Sequence, residues 1–118
     1  LQPEAIIALD VLAAMDPARL CTTVQLTDAG LAPGSGIGNH RAAFTKQALG
    51  RPVLAVGAPT LMRAQSLAER ELPGLPGLIV TPRDADVRVR ELARVVGFGL
   101  TLALHPGLSV QDVARFLA

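Results

Sequence analysis

Tryptophan and tyrosine are absent from this sequence, and only three phenylalanines occur. The chain therefore lacks two of the side chains that most often stack on bases or anchor binding hot spots. It also lacks charge of either sign in excess. The formal net charge is +1, so no strong field draws it to nucleic acid or to an anionic membrane. One cysteine, Cys21, is present, which excludes an internal disulfide framework and favours a reducing compartment. Long hydrophobic runs are missing too. The uncharged, largely apolar stretch Val95 to Leu104 is roughly half of a membrane span. No cationic leader precedes a short apolar stretch, so no signal peptide is expected. There are no internal repeats and no low-complexity tracts.

What is present is an ordinary globular composition. Half of the 118 residues are apolar and 18% are charged, enough to build one small core. The chain is expected to form a single α/β domain over residues 1–118. A buried-strand pattern starts at Ala5, close behind Leu1. The chain therefore reads as part of something longer.

Ala5 to Leu9 is a continuous apolar run, the pattern of a strand covered on both faces in a parallel sheet. Leu12 to Leu20 has room for a helical turn or two, with Pro17 near its start. Cys21 to Thr27 is rich in branched residues and reads as extended. Asp28 to Gly38 has loop composition. His40 to Leu49 reads as a short helix stopped by Gly50. Val53 to Val56 is a second buried strand. Leu61, Ala64, Leu67 and Ala68 have helical spacing within a predicted helix from Thr60 to Leu72. Leu78 to Val80 is extended. Thr81-Pro82-Arg83-Asp84 then opens the clearest helix, with Thr81 as its cap and Asp86 and Arg90 paired four residues apart. Beyond Val95 this helix has no polar face, so Val95 to Leu104 is expected to be covered in the parent assembly. Ser109 and Asp112 form a capping pattern for a last short helix. Strands alternating with helices imply a mostly parallel sheet between helices.

Asp10 is the sharpest chemical feature. It follows a buried apolar run, and in open α/β sheets strand ends face the ligand crevice. A carboxylate there is costly unless it is used or hydrogen-bonded. The other reading is that Asp10 caps a helix beginning near Leu12, and spacing alone favours that reading. If Asp10 is catalytic, it should end a central parallel strand and face a cleft. Gly34-Ser35-Gly36-Ile37-Gly38-Asn39 is the second feature. Alternating glycines let backbone N–H groups converge on an anion or a substrate carbonyl. The loop is neither a P-loop nor a dinucleotide fingerprint, because no Lys-Ser/Thr pair follows and the spacing differs. Alternatively, it is a flexible connector. If it binds substrate, it should border the cleft of Asp10. No spacing of His, Cys, Asp and Glu suggests a zinc site, and no cofactor is expected. His105 falls at a helix end, where the dipole favours a cation. Cys21 reads as a small core hydrophobe.

Several segments together resemble one family, the bacterial spore germination proteases. Ile6-Ile7-Ala8-Leu9-Asp10-Val11-Leu12-Ala13-Ala14 and Thr23 to Gly30 are similar to two consecutive stretches of that family. Pro33 to Asn39 resembles its glycine loop almost position by position. Leu49 to Thr60, Val80 to Val87 and Leu102 to His105 follow in the family's order. The chain departs from the pattern at Ala32, His40 and Cys21, where the family carries histidine, lysine and asparagine. The insertion before Val80 is also nearly absent.

The resemblance implies a three-layer α/β/α sandwich related to the hydrogenase maturation proteases. It implies an atypical aspartic endopeptidase, made as a zymogen and assembled as a homotetramer in the spore core cytoplasm. Its substrates would be small acid-soluble spore proteins, with no direct contact to nucleic acid or membrane. Asp10 matches the second of two family aspartates held to be catalytic, and the first would lie upstream of Leu1. Gly34, Ser35, Gly36, Gly38 and Asn39 would bind substrate backbone. Alone, this chain is then expected to be inactive. Two other readings stand beside this one. One is a metal-dependent processing protease with a divalent ion at Asp10 and a histidine. The other is a non-catalytic remnant that keeps the fold.

Overall fold

The computed structural model describes residues 1–33, 42–68 and 77–117. The chain divides into two compact units, Leu1–Arg83 and Asp84–Ala118. It is a mixed α/β chain with an open sheet and three helices among the described residues.

The first unit holds four strands: β1 (Ile6–Ala13), β2 (Gln25–Thr27), β3 (Val53–Arg63) and β4 (Ile79–Val80). Their order is β1-β3-β2, with β4 on the far end of β3. β1 and β3 run parallel, while β2 and β4 each run antiparallel to β3. The sheet is thus mixed rather than mostly parallel. Parallel pairing is confined to the two apolar runs that read as buried strands.

Two strands are longer than the sequence pattern suggests. β1 continues past Asp10, because Val11 and Leu12 pair with Ala58 and Pro59 of β3 and Ala13 pairs with Leu61 across an irregularity. No helix begins at Leu12. A single 3₁₀ turn spans Pro17–Arg19, capped by Asp16, which accepts the Ala18 N–H at 2.9 Å. β3 runs on through Arg63, so the predicted helix from Thr60 is absent; a 3₁₀ turn over Ala64–Leu67 takes its place. Neighbouring chain decides this. The Leu61 carbonyl accepts Ala14 N–H at 2.8 Å, and Met62 and Arg63 pair with Val80 and Ile79. Helical spacing and strand alternation share several positions in a short apolar segment, and tertiary pairing selects between them. Met62 and Ala64 are buried as a result.

Cys21 is buried but lies in a turn, not in a strand. Its φ is +56°, the single left-handed non-glycine among the described residues. Its N–H donates to the Pro59 carbonyl at 2.6 Å, which ties the turn to β3. The short helix α1 (Lys46–Leu49) begins at Thr45, whose hydroxyl accepts Ala48 N–H at 3.1 Å. It ends at Gly50 in the left-handed region, as the sequence suggests.

Small side chains dominate the interior of this unit: Ala14, Cys21, Val53, Ala55, Val56 and Ala64, joined by Met62. Residues paired in register share a face. Ile6, Ala8, Asp10 and Leu12 therefore lie on one face with Val53, Ala55, Gly57 and Pro59. Ile7, Leu9 and Val11 lie on the other with Leu54, Val56 and Leu26. That second face is apolar yet open. Leu9 is 58% exposed, Val11 50% and Leu26 67%.

The second unit pairs helix α2 (Ala85–Leu104) with helix α3 (Val110–Leu117). Thr81 does not cap α2; its hydroxyl donates to the Thr60 carbonyl at 2.8 Å. Asp84 stands at the cap position and accepts from Arg88 Nε at 2.8 Å, so the ion pair forms at Asp84–Arg88 rather than at Asp86–Arg90. α2 ends at His105. No α2 residue is buried, and Val95 is 62% exposed. Val113 of α3 is fully buried. No helix among the described residues is long and apolar enough to cross a membrane.

The start of α3 shows the reciprocal cap expected from Ser109 and Asp112. Ser109 Oγ accepts Asp112 N–H at 3.2 Å, and Asp112 Oδ2 accepts Ser109 N–H at 2.9 Å and its hydroxyl at 2.7 Å. These bonds from Ser109 hold the Asp112 carboxyl below the ordinary aspartate range. The stabilisation from this cap is complete above the ordinary aspartate value and is lost as pH falls through the depressed one. An NMR pH titration is expected to show an Asp112 midpoint below that of an unstructured aspartate. Ser109→Ala should move it up.

Two glycines allow a separate test of strain. Gly30 has φ +97°, and a Cβ there would lie 2.7 Å from the Phe44 carbonyl oxygen and from Thr45 Cγ2. Gly50 has φ +68° with open space around it. In urea denaturation, Gly50→Ala should cost about 1 kcal/mol for the left-handed backbone alone. Gly30→Ala should cost at least about 2 kcal/mol, because a clash is added.

Candidate functional site

Asp10 lies two-thirds of the way along β1 and is half-buried. The register sets its neighbours. Asp10 pairs with Gly57 of β3, and Gly57 pairs on its other side with Gln25 of β2. Asp10, Gly57 and Gln25 thus form one row across three strands on one face. Gly57 contributes no side chain, so the row has a gap at its centre. Leu12 leans over that gap: a Cβ on Gly57 would meet Leu12 Cδ1 at 2.5 Å and Cγ at 2.7 Å. Only glycine lets Leu12 lie this close to β3.

Beyond Leu12 the same face opens into a recess of about 230 Å³. Its lining includes the small residues Ala55 and Gly57, the leucines Leu12 and Leu31, and the polar Gln25 and Thr27. Gly30 and Ala32 also border it, and among the described residues no charged side chain does.

β1 has one neighbour among the described strands, β3. Asp10 therefore stands on an edge strand of this sheet and inside it, not at the end of a central strand. This departs from the sequence expectation. Pairing of Val11 to Ala13 with β3 prolongs the strand, and no described strand lies on its other side. The Ile6 N–H donates to the Pro52 carbonyl at 2.9 Å, so alternate residues through Asp10 and Leu12 direct their N–H groups to β3. Ile7, Leu9 and Val11 direct theirs to the outer edge. Asp10 Oδ1 accepts the outward Val11 N–H at 2.8 Å. The carboxylate thereby satisfies an edge donor instead of capping a helix.

The glycine loop, with Gly34, Ser35, Gly36, Gly38 and Asn39, lies outside the described residues, as does His40. What precedes and follows it is held together. Leu31 N–H donates to Phe44 O at 2.9 Å, and Phe44 N–H donates to Leu31 O at 2.7 Å. One side of this bridge, at Leu31 and Ala32, lines the recess. Among the described residues, no three His, Cys, Asp or Glu side chains gather as metal ligands would. The sequence reading missed the recess altogether. Its available signal was Gly57, an isolated glycine inside a strand pattern, which marks a close approach.

The unit carrying Asp10 and the recess is also where a match to known proteins falls. The family model described as germination protease matches residues 1–73. The chain belongs to the germination protease family. It is 30% identical to a germination protease of Caldanaerobacter subterraneus subsp. tengcongensis, over 98% of this chain and 48% of that protein. A germination protease of Clostridium perfringens is 24% identical over 99% of this chain and 48% of its own length. A shorter match to a germination protease of Bacillus pumilus is 46% identical over 57% of this chain. The chain thus spans about half the length of the first germination proteases it matches.

The Asp10 bond to Val11 gives a structural test free of any activity. Asn keeps an acceptor oxygen and Ala does not. Asp10→Ala should lower stability by about 1 kcal/mol in urea denaturation. Asp10→Asn should cost less than half of that.

Proposed function

We propose that this chain carries one half of an aspartate-dependent peptidase centre, with Asp10 as one of two catalytic carboxylates. The observation that carries the reading is the position of Asp10 in a chain of the germination protease family: half-buried, beside a side-chain-free gap, with its carboxylate at the outer edge of β1. A further parallel strand on that edge would set a second carboxylate about 5 Å from Asp10, one strand spacing away. Two carboxylates that close share a proton, because both cannot ionise cheaply. The ionised one would draw a proton from water. The other would protonate the leaving amine or hold the oxyanion. The glycine loop from Gly34 to Asn39 would offer backbone amides to the substrate chain.

On this reading β1 becomes an interior strand, which fits its apolar residues on both faces. Helices over the open face of Ile7, Leu9 and Val11 would complete a three-layer sandwich of the hydrogenase maturation type. The substrates would be small acid-soluble spore proteins, cut in the spore core by a zymogen-derived oligomer. The metal-dependent alternative gains no support from the described residues, which bring no ligand set to Asp10. The non-catalytic alternative has one observation in its favour: the bond from Val11 N–H gives Asp10 a structural role of its own.

The deciding experiment measures cleavage of a small acid-soluble spore protein by this chain and by the longest form its gene encodes, each with Asp10 and with Asn. The chain alone should be inactive, since a dyad needs both carboxylates. The longest form should cleave, and Asp10→Asn should lower its rate by at least about 100-fold, the scale of a lost acid–base group. Full activity in Asp10→Asn would leave Asp10 only its edge bond.

A further inference from the structure

We propose that Gln25 is a further catalytic residue of the centre at Asp10: its side-chain amide donates a hydrogen bond to the carbonyl oxygen of the scissile peptide and holds the charge that develops there. The proposal rests on the peptidase reading for the reaction. It rests on sheet register and residue chemistry for the choice of Gln25.

Register makes the choice. Among the paired residues, three polar side chains stand on the face that carries Asp10: Asp10 itself, Gln25 and Thr27. Thr27 belongs to the next row, opposite Ala55 and Ala8, and its hydroxyl accepts the Ala29 N–H at 3.1 Å, which ties it to the turn after β2. Gln25 shares the row of Asp10, with Gly57 alone between them. Gln25 is exposed, and among the described residues no hydrogen bond engages its side-chain amide.

Distance fits the task. Neighbouring strands lie about 4.8 Å apart, so Asp10 and Gln25 stand about 10 Å apart, two spacings, with their side chains rising from the same face. A water lies about 2.7 Å from the carboxylate that holds it. The carbonyl carbon it attacks lies about 3–3.5 Å further on. The C=O bond adds about 1.2 Å and an amide donor to that oxygen about 2.9 Å, a span of about 10 Å in all. The row therefore has room for one peptide group and its attacking water between the two side chains. Gly57 puts no side chain in that space, and Leu12 lays its methyl groups over it. An apolar floor strengthens a hydrogen bond to a developing charge.

Chemistry assigns the roles. The ionised carboxylate takes a proton from water as the water oxygen bonds to the carbonyl carbon, and the π pair of the C=O bond moves onto its oxygen. Gln25 Nε2–H donates to that oxyanion. When the C=O bond re-forms, the C–N bond breaks, its electron pair goes to nitrogen, and the protonated carboxyl supplies the proton of the leaving amine. Gln25 thus takes over the oxyanion, and both carboxylates are left to move protons. A primary amide suits this role, because it donates whatever the pH and adds no charge to the pair.

The test uses the longest form the gene encodes, on the same spore-protein substrate, and compares the parent with Asp10→Asn, Gln25→Met and Gln25→Glu. Gln25→Met keeps the length of the side chain and has no donor. It should lower kcat by at least about 100-fold, the effect of losing one oxyanion donor, with KM within about threefold of the parent and an unchanged urea midpoint. Gln25→Glu has a donor only when protonated. Its rate relative to the parent should rise as pH falls through the carboxyl range, about pH 4, while the Gln25→Met ratio stays flat. A residue that only supports β2 would produce no such divergence. Should Gln25→Met lower the urea midpoint, the pH dependence of the Gln25→Glu ratio decides. Parent-like kcat in Gln25→Met, a loss confined to KM, or parallel pH profiles of the two variants would overturn the proposal. Full activity in Asp10→Asn would refute the peptidase centre and the Gln25 role with it. An inactive Asp10→Asn beside a fully active Gln25→Met would remove Gln25 alone.

Discussion

Every other strand among the described residues pairs with β3. Its eleven residues pair in parallel with β1, antiparallel with β2, and antiparallel with β4 near its far end. The carbonyls of Pro59, Thr60 and Leu61 also accept from Cys21, Thr81 and Ala14, so the same strand anchors the turns that follow β1 and β4. Removing β3 would leave three short strands with no pairing among them. The small residues of β3 are the complement of that role. Ala55, Val56 and Gly57 let β1 and β2 approach closely on either side, and larger side chains would hold them apart.

The position of Asp10 is a by-product of this crowding. Gly57 leaves a gap that Leu12 enters, and the recess opens where Leu12 ends. A polar residue with an apolar recess beside it is the ordinary form of a ligand site, in which a few polar groups orient what apolar surface holds. The carboxylate is held by its bond to the next N–H in the chain. That bond ties its direction along the strand edge to the local backbone.

Elements fixed by local chemistry were legible in the sequence: the β1 and β3 runs, the Gly50 stop of α1, the Ser109–Asp112 cap, and α2 as a long helix. Elements fixed by pairing were not. Leu61, Ala64 and Leu67 fit a helical period as well as a strand, and only β1 and β4 beside β3 decide between them. Asp10 stood out because a carboxylate on an apolar run is unusual, yet its rival role as a helix cap could be dismissed only once β1 was seen to continue. The recess was invisible because its lining comes from β1, β2, the Gly30 turn and β3, whose proximity no spacing encodes. Cys21 was correctly read as a core residue and wrongly as a strand residue, since burial follows from its side chain and its left-handed backbone from the turn around it.

The outer edge of β1 has a consequence for how such chains coexist. An eight-residue strand with apolar residues on both faces is a template on which other chains can extend the sheet. A strand added to that edge would lie about 4.8 Å from β1. It would need the outward Val11 N–H that Asp10 Oδ1 already accepts, and it would have to pack beside the carboxylate. The same carboxylate that is read as chemistry thus also acts as a gatekeeper, making self-templated growth costly along the strand where it would otherwise be easiest.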